Sequence, residues 1–347
     1  MSRVLILATS RKTRGGITSV IRTYETGTQW QKYRCHWVQT HRDGAIWRKL
    51  LYLAAAWVDY LIRIPYYDIV HVHVSLKTTV RRKLPFVKIA KALGKKVIVH
   101  LHCGSQIHAI WNENYDYLFD AADVSIFLSE NIMNMVEEHI GSGHDFRVVY
   151  NPCPDVSQEP LLPKKRIILF SGTLYQGKGY QDLIRAFAKI AKRFPKWIVV
   201  LAGNGEVEIG KAIAVECEIA NQVKFLGWIS GEQKDKIYRE ASFFCLPSYA
   251  EGFPMAVLDA WAYGLPVITT PVGGIPDVAR DNENMLLFNP GDIETLSMQL
   301  EKMISSIEGD QILYNRIKTA SIELSENVFS KAIINKQLED LYEELSQ

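Results

Sequence analysis

The run from Leu246 to Asp277, LPSYAEGFPMAVLDAWAYGLPVITTPVGGIPD, gathers the residues best suited to chemistry. A strand-like run ends at Leu246, and the loop after it carries Glu251 and Gly252. Pro254 has the fixed φ that suits a first helical turn, so the spacing predicts a helix starting there. The backbone N–H groups between Phe253 and Ala256, Met255 included, are then unsatisfied at a helix N-terminus. Such a terminus accepts a phosphate or a sugar hydroxyl. About two turns after Glu251, Asp259 offers a carboxylate able to accept two ribose hydroxyls, while Ala256, Ala260 and Gly264 form a small-residue face.

Other candidates lie in turns that follow strands. Ser171-Gly172-Thr173-Leu174 precedes Gly177-Lys178-Gly179, and Lys178 is a suitable point charge for phosphate. Gly203-Asn204-Gly205 and Gly15-Gly16 are glycine turns that let backbone approach a ligand closely. His71-x-His73 and His100-x-His102 each put two imidazoles on one strand face. No carboxylate or cysteine stands beside them at ligand spacing, so packing and hydrogen bonding outweigh a zinc site, and no metal is expected. The chain also has no Asp-x-Asp triplet with which to hold a metal on a diphosphate.

In these segments the chain resembles glycosyltransferase family 4 of the GT-B fold. That family carries E-G-F-x-x-x-x-x-E-A followed by G-x-P-V-I, matched here by Glu251-Gly252-Phe253 through Asp259-Ala260 and Gly264-Leu265-Pro266-Val267-Ile268. The resemblance implies that Glu251 contacts the donor sugar and that Asp259, in place of the usual Glu, binds ribose. Gly172-Thr173-Leu174 with Lys178 resembles the diphosphate grip G-R-L…K-G, with Thr173 where arginine is usual. Gly203 and Gly205 match the turn near the nucleotide, and Gly16 the first glycine loop. His100-Leu101-His102-Cys103-Gly104-Ser105 resembles H-x-H-G, which gives His102 a place beside the reacting carbon. The implied reaction is metal-independent transfer from a nucleoside-diphosphate sugar, UDP- ahead of GDP-, with retention at the anomeric carbon. A saccharide or lipid-linked saccharide is the implied acceptor, as in bacterial surface polysaccharide synthesis.

These residues need a scaffold, and the pattern supplies one. Short apolar runs at Val4–Ala8, Ile69–Val74, Val97–Leu101 and Val124–Leu128 alternate with helical stretches at Ile17–Thr26, Trp47–Ile64 and Leu84–Leu93. This is the alternation of an α/β parallel sheet covered on both faces. Four prolines in Asn151–Lys165 read as a linker, after which the alternation restarts. The expected architecture is two Rossmann-like doubly wound domains facing a cleft. Residues 1–155 form the acceptor domain and 156–329 the nucleotide-sugar domain. A final helix, 330–347, crosses back to the first.

Charge is uneven along the 347 residues. Residues 1–150 hold 20 basic and 12 acidic side chains, net +8, and the remainder is net −6. The basic half should meet an anion. Arg81, Arg82 and Lys83, near the aromatics of the Trp47–Arg63 segment, are the expected acceptor or membrane contacts, an anionic membrane surface being preferred and nucleic acid not expected. Five scattered cysteines fit a reducing compartment. No apolar run reaches the roughly 18–20 residues of a membrane span. The expectation is a cytoplasmic protein, peripheral on the inner membrane face. A non-catalytic GT-B partner of another glycosyltransferase, or a sugar-nucleotide epimerase, is the alternative; activity lost on Glu251→Ala separates an enzyme from a scaffold.

Overall fold

The computed structural model describes residues 2–13, 15–75, 77–104, 107–156 and 163–347. Ser105 and the middle of the expected linker, 157–162, lie outside them. The chain divides into two compact units, Met1–Pro152 with Ser330–Gln347, and Cys153–Phe329.

In the first unit β1 (Val4–Ala8) leads to α1 (Gly16–Glu25), α2 (Thr28–Lys32), β2 (His36–Gln39), α3 (Ile46–Arg63), β3 (Ile69–Val74), α4 (Lys77–Ala92) and β4 (Lys96–Leu101). Then come α5 (Ile107–Ile110), α6 (Glu113–Asp120), β5 (Val124–Phe127), α7 (Glu130–Ile140) and β6 (Phe146–Val148). The strands form a parallel sheet in the order β2-β1-β3-β4-β5-β6. Strands β1 and β3 are wholly buried, as expected for a sheet covered on both faces. α2, β2, α5, α6, α7 and β6 are not among the elements expected from the sequence.

The second unit runs β7 (Ile167–Ser171), α8 (Tyr180–Ala191), β8 (Ile198–Ala202), α9 (Val207–Glu216), β9 (Val223–Gly227), α10 (Glu232–Glu240) and β10 (Phe243–Leu246). It continues with α11 (Met255–Ala262), β11 (Val267–Thr269), β12 (Leu286–Leu287), α12 (Ile293–Glu308) and α13 (Ile312–Asn327). Its parallel sheet has the order β12-β11-β10-β7-β8-β9. Strand order therefore reverses between β7 and β10, and the loops after those two strands diverge to leave a crevice at their carboxyl ends.

The last helix, α14 (Lys331–Glu344), belongs to the first unit. Lys32 bonds Glu339 at 2.8 Å and Glu343 at 3.2 Å. Gln29 donates to Asn335 at 2.9 Å, and Arg147 meets Glu344 at 2.7 Å. Tyr342 is buried, its ring edge-on to Tyr33 at 5.3 Å.

One expectation for this unit fails. Lys83 is fully buried and donates to the carbonyl of His73, so it is no surface contact for an acceptor or membrane. Val80, Lys83, Leu84 and Val87 share one face of α4, and that face packs into the core. The helix also begins at Lys77 rather than Leu84 and runs through Pro85, which sits on its exposed side.

Candidate active site

The switch point of the second sheet brings together one acid and one base singled out from the sequence. The loop after β7 carries Lys178, and the loop after β10 carries Glu251. Lys178 Nζ forms an ion pair with Glu251 Oε1. Ser248 Oγ donates to the same oxygen at 2.7 Å. Both charged side chains are largely screened from water, 22% and 10% exposed, where a charge-assisted bond is stronger than at the surface.

Glycines let these loops approach. A Cβ on Gly203 would stand 1.7 Å from the carbonyl oxygen of Gly172, so only glycine allows the β8 turn to touch the β7 turn. Gly273, at φ 62°, lies against the Glu251 and Gly252 carbonyls in the same way. Backbone bonds fasten the loops: Leu174 N to Asn204 O at 2.7 Å, Tyr249 N to Gly177 O at 3.0 Å, Gly274 N to Gly252 O at 2.7 Å. Gly205 sits at the start of the turn into α9, bridged to Leu174. Thr173 is exposed on the β7 turn.

Helix α11 begins at Met255, with Pro254 as its N-cap and no side-chain cap. The N–H groups of its first turn are therefore not capped by that residue's side chain, as the spacing required. Phe253 differs from the other loop residues. Its ring is buried, 6.2 Å from Trp261 and 4.9 Å from Phe329, and anchors the loop in the core. Only its backbone can face a ligand.

Asp259 is 15% exposed and pairs with Lys234 of α10 at 2.7 Å. Burial pushes its carboxyl above the ordinary range, against the pull of Lys234. Lys234 was not singled out from the sequence. The available signal was its spacing: it stands three and four residues before Ile237 and Tyr238, on the inward side of α10, its ammonium 5.6 Å from the Tyr238 ring.

His102, Gly16, Arg81 and Arg82 lie in the first unit. His102 follows β4, and its Nε2 is 2.8 Å from His73 Nδ1. It ends a ladder of imidazoles on β3 and β4. His71 Nε2 lies 3.3 Å from His100 Nδ1, and His71 Nδ1 is 2.7 Å from the Tyr342 hydroxyl. Burial holds His71 and His102 down at about 3, and His73 and His100 well below their ordinary value, so all four are neutral. One nitrogen each of His71, His73 and His100 lies within 4.8 Å of the others. The rings stack, however, at 7° for His71 on His100 and 24° for His71 on His73, so their in-plane lone pairs run side by side. Gly16 opens α1 behind Gly15, on the exposed side. Arg81 is exposed, while Arg82 is half-buried, its Nε and Nη2 shielded from solvent.

The order of the second sheet and its glycine-stitched loops agree with the sequence comparison. Residues 155–322 match the family model described as Glycosyl transferases group 1. An uncharacterized glycosyltransferase of Haemophilus influenzae is 30% identical over 185 residues, covering 51% of this chain and 51% of that one. The chain thus spans about half the length of that relative. The 2-deoxystreptamine N-acetyl-D-glucosaminyltransferase of Niallia circulans is 25% identical over 267 residues, 69% of this chain and 68% of that one. Among solved structures, Anabaena HepE in complex with UDP-glucose superposes with a TM-score of 0.79 at 17% identity, covering 99% of this chain and 100% of that one. At that identity the likeness establishes the fold, which is GT-B.

Proposed function

We propose that this chain is a glycosyltransferase that moves a sugar from a nucleoside-diphosphate sugar, UDP- ahead of GDP-, to an acceptor hydroxyl. The observation that carries the proposal is the Lys178–Glu251 pair at the reversal of the second sheet, beside the uncapped start of α11. A helix N-terminus and an ammonium complement a diphosphate without a metal. The Anabaena protein crystallised with UDP-glucose supports the choice of donor.

In this reaction the bond from the anomeric carbon to the β-phosphate oxygen breaks, and a bond to the acceptor oxygen forms on the same face. The acceptor proton passes to the leaving phosphate, and Lys178 with the α11 N-terminus takes up its charge. Glu251 holds the sugar, and Gly252 to Met255 offer backbone N–H groups to it, Pro254 excepted. Asp259 holds the ribose, Gly203 and Gly205 let the nucleotide approach the backbone, and Thr173 lines the diphosphate. For His102 and Gly16 we keep the roles that the family resemblance implies, at the reacting carbon and in donor binding.

The acceptor we infer is a saccharide or lipid-linked saccharide met at an anionic membrane face from the cytoplasmic side, in surface polysaccharide synthesis. No helix among the described residues is long and apolar enough to cross a membrane. Arg81 remains a candidate contact on that surface. Thermal unfolding with UDP-, GDP- and ADP-sugars tests the donor site, because a ligand of the native state raises apparent stability. A rise with UDP-glucose or UDP-N-acetylglucosamine is expected; no rise with any of the sugars overturns the assignment.

A further inference from the structure

Helix α3 has two apolar faces, and the fold uses one of them. Inward, Ala56 and Tyr60 are buried, the Trp57 ring stacks on Phe86 at 3.8 Å, and the Tyr60 hydroxyl donates to the Phe86 carbonyl at 2.7 Å. Outward, Trp47, Leu50, Val58, Leu61 and Ile62 are each more than half exposed. With exposed Ala54 between Leu50 and Val58, steps of three and four residues make a single stripe along the helix. Tyr66, 67% exposed, continues it beyond the C-terminal end. A stripe of this length is far more than the scattered apolar side chains of an ordinary surface.

The charges beside the stripe narrow its occupant. Arg48 borders it, Lys49 and Arg63 stand further round the helix, and Asp59, the single acid of α3, is held by Arg63 at 2.6 Å and His36 at 2.8 Å. Lys95 lies at the C-terminal end, near the Pro65 carbonyl. A second copy docked about a two-fold axis would set these bases against their own kind with no free acid on the helix to answer them. An anionic bilayer answers them all. Basic residues beside Trp and Leu are the make-up of a helix lying in the membrane interface. Aromatics at the two ends, Trp47 and Tyr66, suit the headgroup level.

We propose that α3 lies flat in the interface of an anionic lipid bilayer, its stripe from Trp47 to Ile62 among the acyl chains and its bases among the headgroups. The proposal rests on the membrane-face reading above and moves the contact from the Arg81–Lys83 segment to α3. At roughly 27 Å for 18 residues, the helix buries one side without spanning.

The test is co-sedimentation of the full chain with vesicles of phosphatidylglycerol and phosphatidylcholine, against phosphatidylcholine alone, for the wild type and for the triple variant Leu50→Gln, Leu61→Gln, Ile62→Gln. All three positions are exposed, so the variant should keep its unfolding midpoint and any UDP-sugar response. The expected result is salt-sensitive binding of the wild type to anionic vesicles, weakened at least tenfold in the variant. Equal binding by both proteins overturns the assignment to α3 and leaves the membrane reading standing. No binding by the wild type overturns both, while the UDP-sugar response judges the transferase reading separately. A wild-type dimer in lipid-free sedimentation velocity that the variant abolishes assigns the stripe to a second copy, and so overturns the proposal.

Discussion

Lys234 Nζ stands 2.7 Å from Asp259 Oδ1, joining α10 to α11 beside the donor loops. The pair sets a base against the acid that replaces the family's usual glutamate. It stabilises the carboxylate form of a side chain whose carboxyl burial pushes upward. Asp259→Asn should weaken UDP-sugar binding by on the order of tenfold, the worth of a hydrogen bond to a charged group, and Asp259→Glu should retain most of it. In Lys234→Met the carboxyl rises further, so donor affinity should fall as pH is lowered. Isothermal titration across pH separates these outcomes; a donor affinity indifferent to all three changes would remove Asp259 from the site.

Glu251 and Lys178 should act as a unit. Glu251→Ala removes a sugar contact and leaves the ammonium unpaired in a screened site, so kcat/KM for transfer or donor hydrolysis should drop by about 100-fold. Lys178→Ala should raise the KM for donor more than it lowers kcat, since phosphate binding is present before the reaction. The double variant should lose less than the product of the two single losses. Strict additivity would mean that the pair is no unit.

Stability should fall in acid because of the imidazole ladder. His71 is buried and its folded value, about 3, lies below the ordinary 6.5. Between those values the unfolded chain binds the proton and the folded chain does not. Stability contributed by the neutral form is therefore complete above 6.5 and is lost as pH falls toward 3. The slope for one such group is on the order of 1.4 kcal/mol per pH unit, and the neighbours steepen it. Urea unfolding from pH 7 to pH 4 measures it. His71→Gln should flatten the dependence, and an unchanged slope would contradict the ladder.

Gly203→Ala should destabilise by about 3 kcal/mol or more, because the added Cβ meets the Gly172 carbonyl and neither loop can retreat without breaking the Leu174–Asn204 bond. Denaturant midpoints measure the loss. Gly94→Ala, at φ 67° but with open space around it, should cost roughly 1 kcal/mol from backbone strain alone. Equal losses would show that the approach of the two turns does not constrain Gly203, whose own backbone lies outside the left-handed region.

The sequence by itself determined the alternation of strands and helices, the break after Asn151, and the spacing that sets Glu251 at a loop before a helix and Asp259 within it. These are local properties: hydrophobic period, proline's fixed φ and the glycine turns all act within a few residues. Phe253 shows the limit. Its place in the motif was legible, but that its ring anchors the loop against Phe329 depends on residues distant in sequence. Lys83 was misplaced for the same reason, since a base in a charged run looks solvated until the sheet beneath its helix is known. Only the tertiary structure decided that Lys178 meets Glu251, that Lys234 serves Asp259, and that His102 ends a neutral ladder. Those pairings bridge 25 to 73 positions in the chain, and strand order rather than local preference brings such residues together.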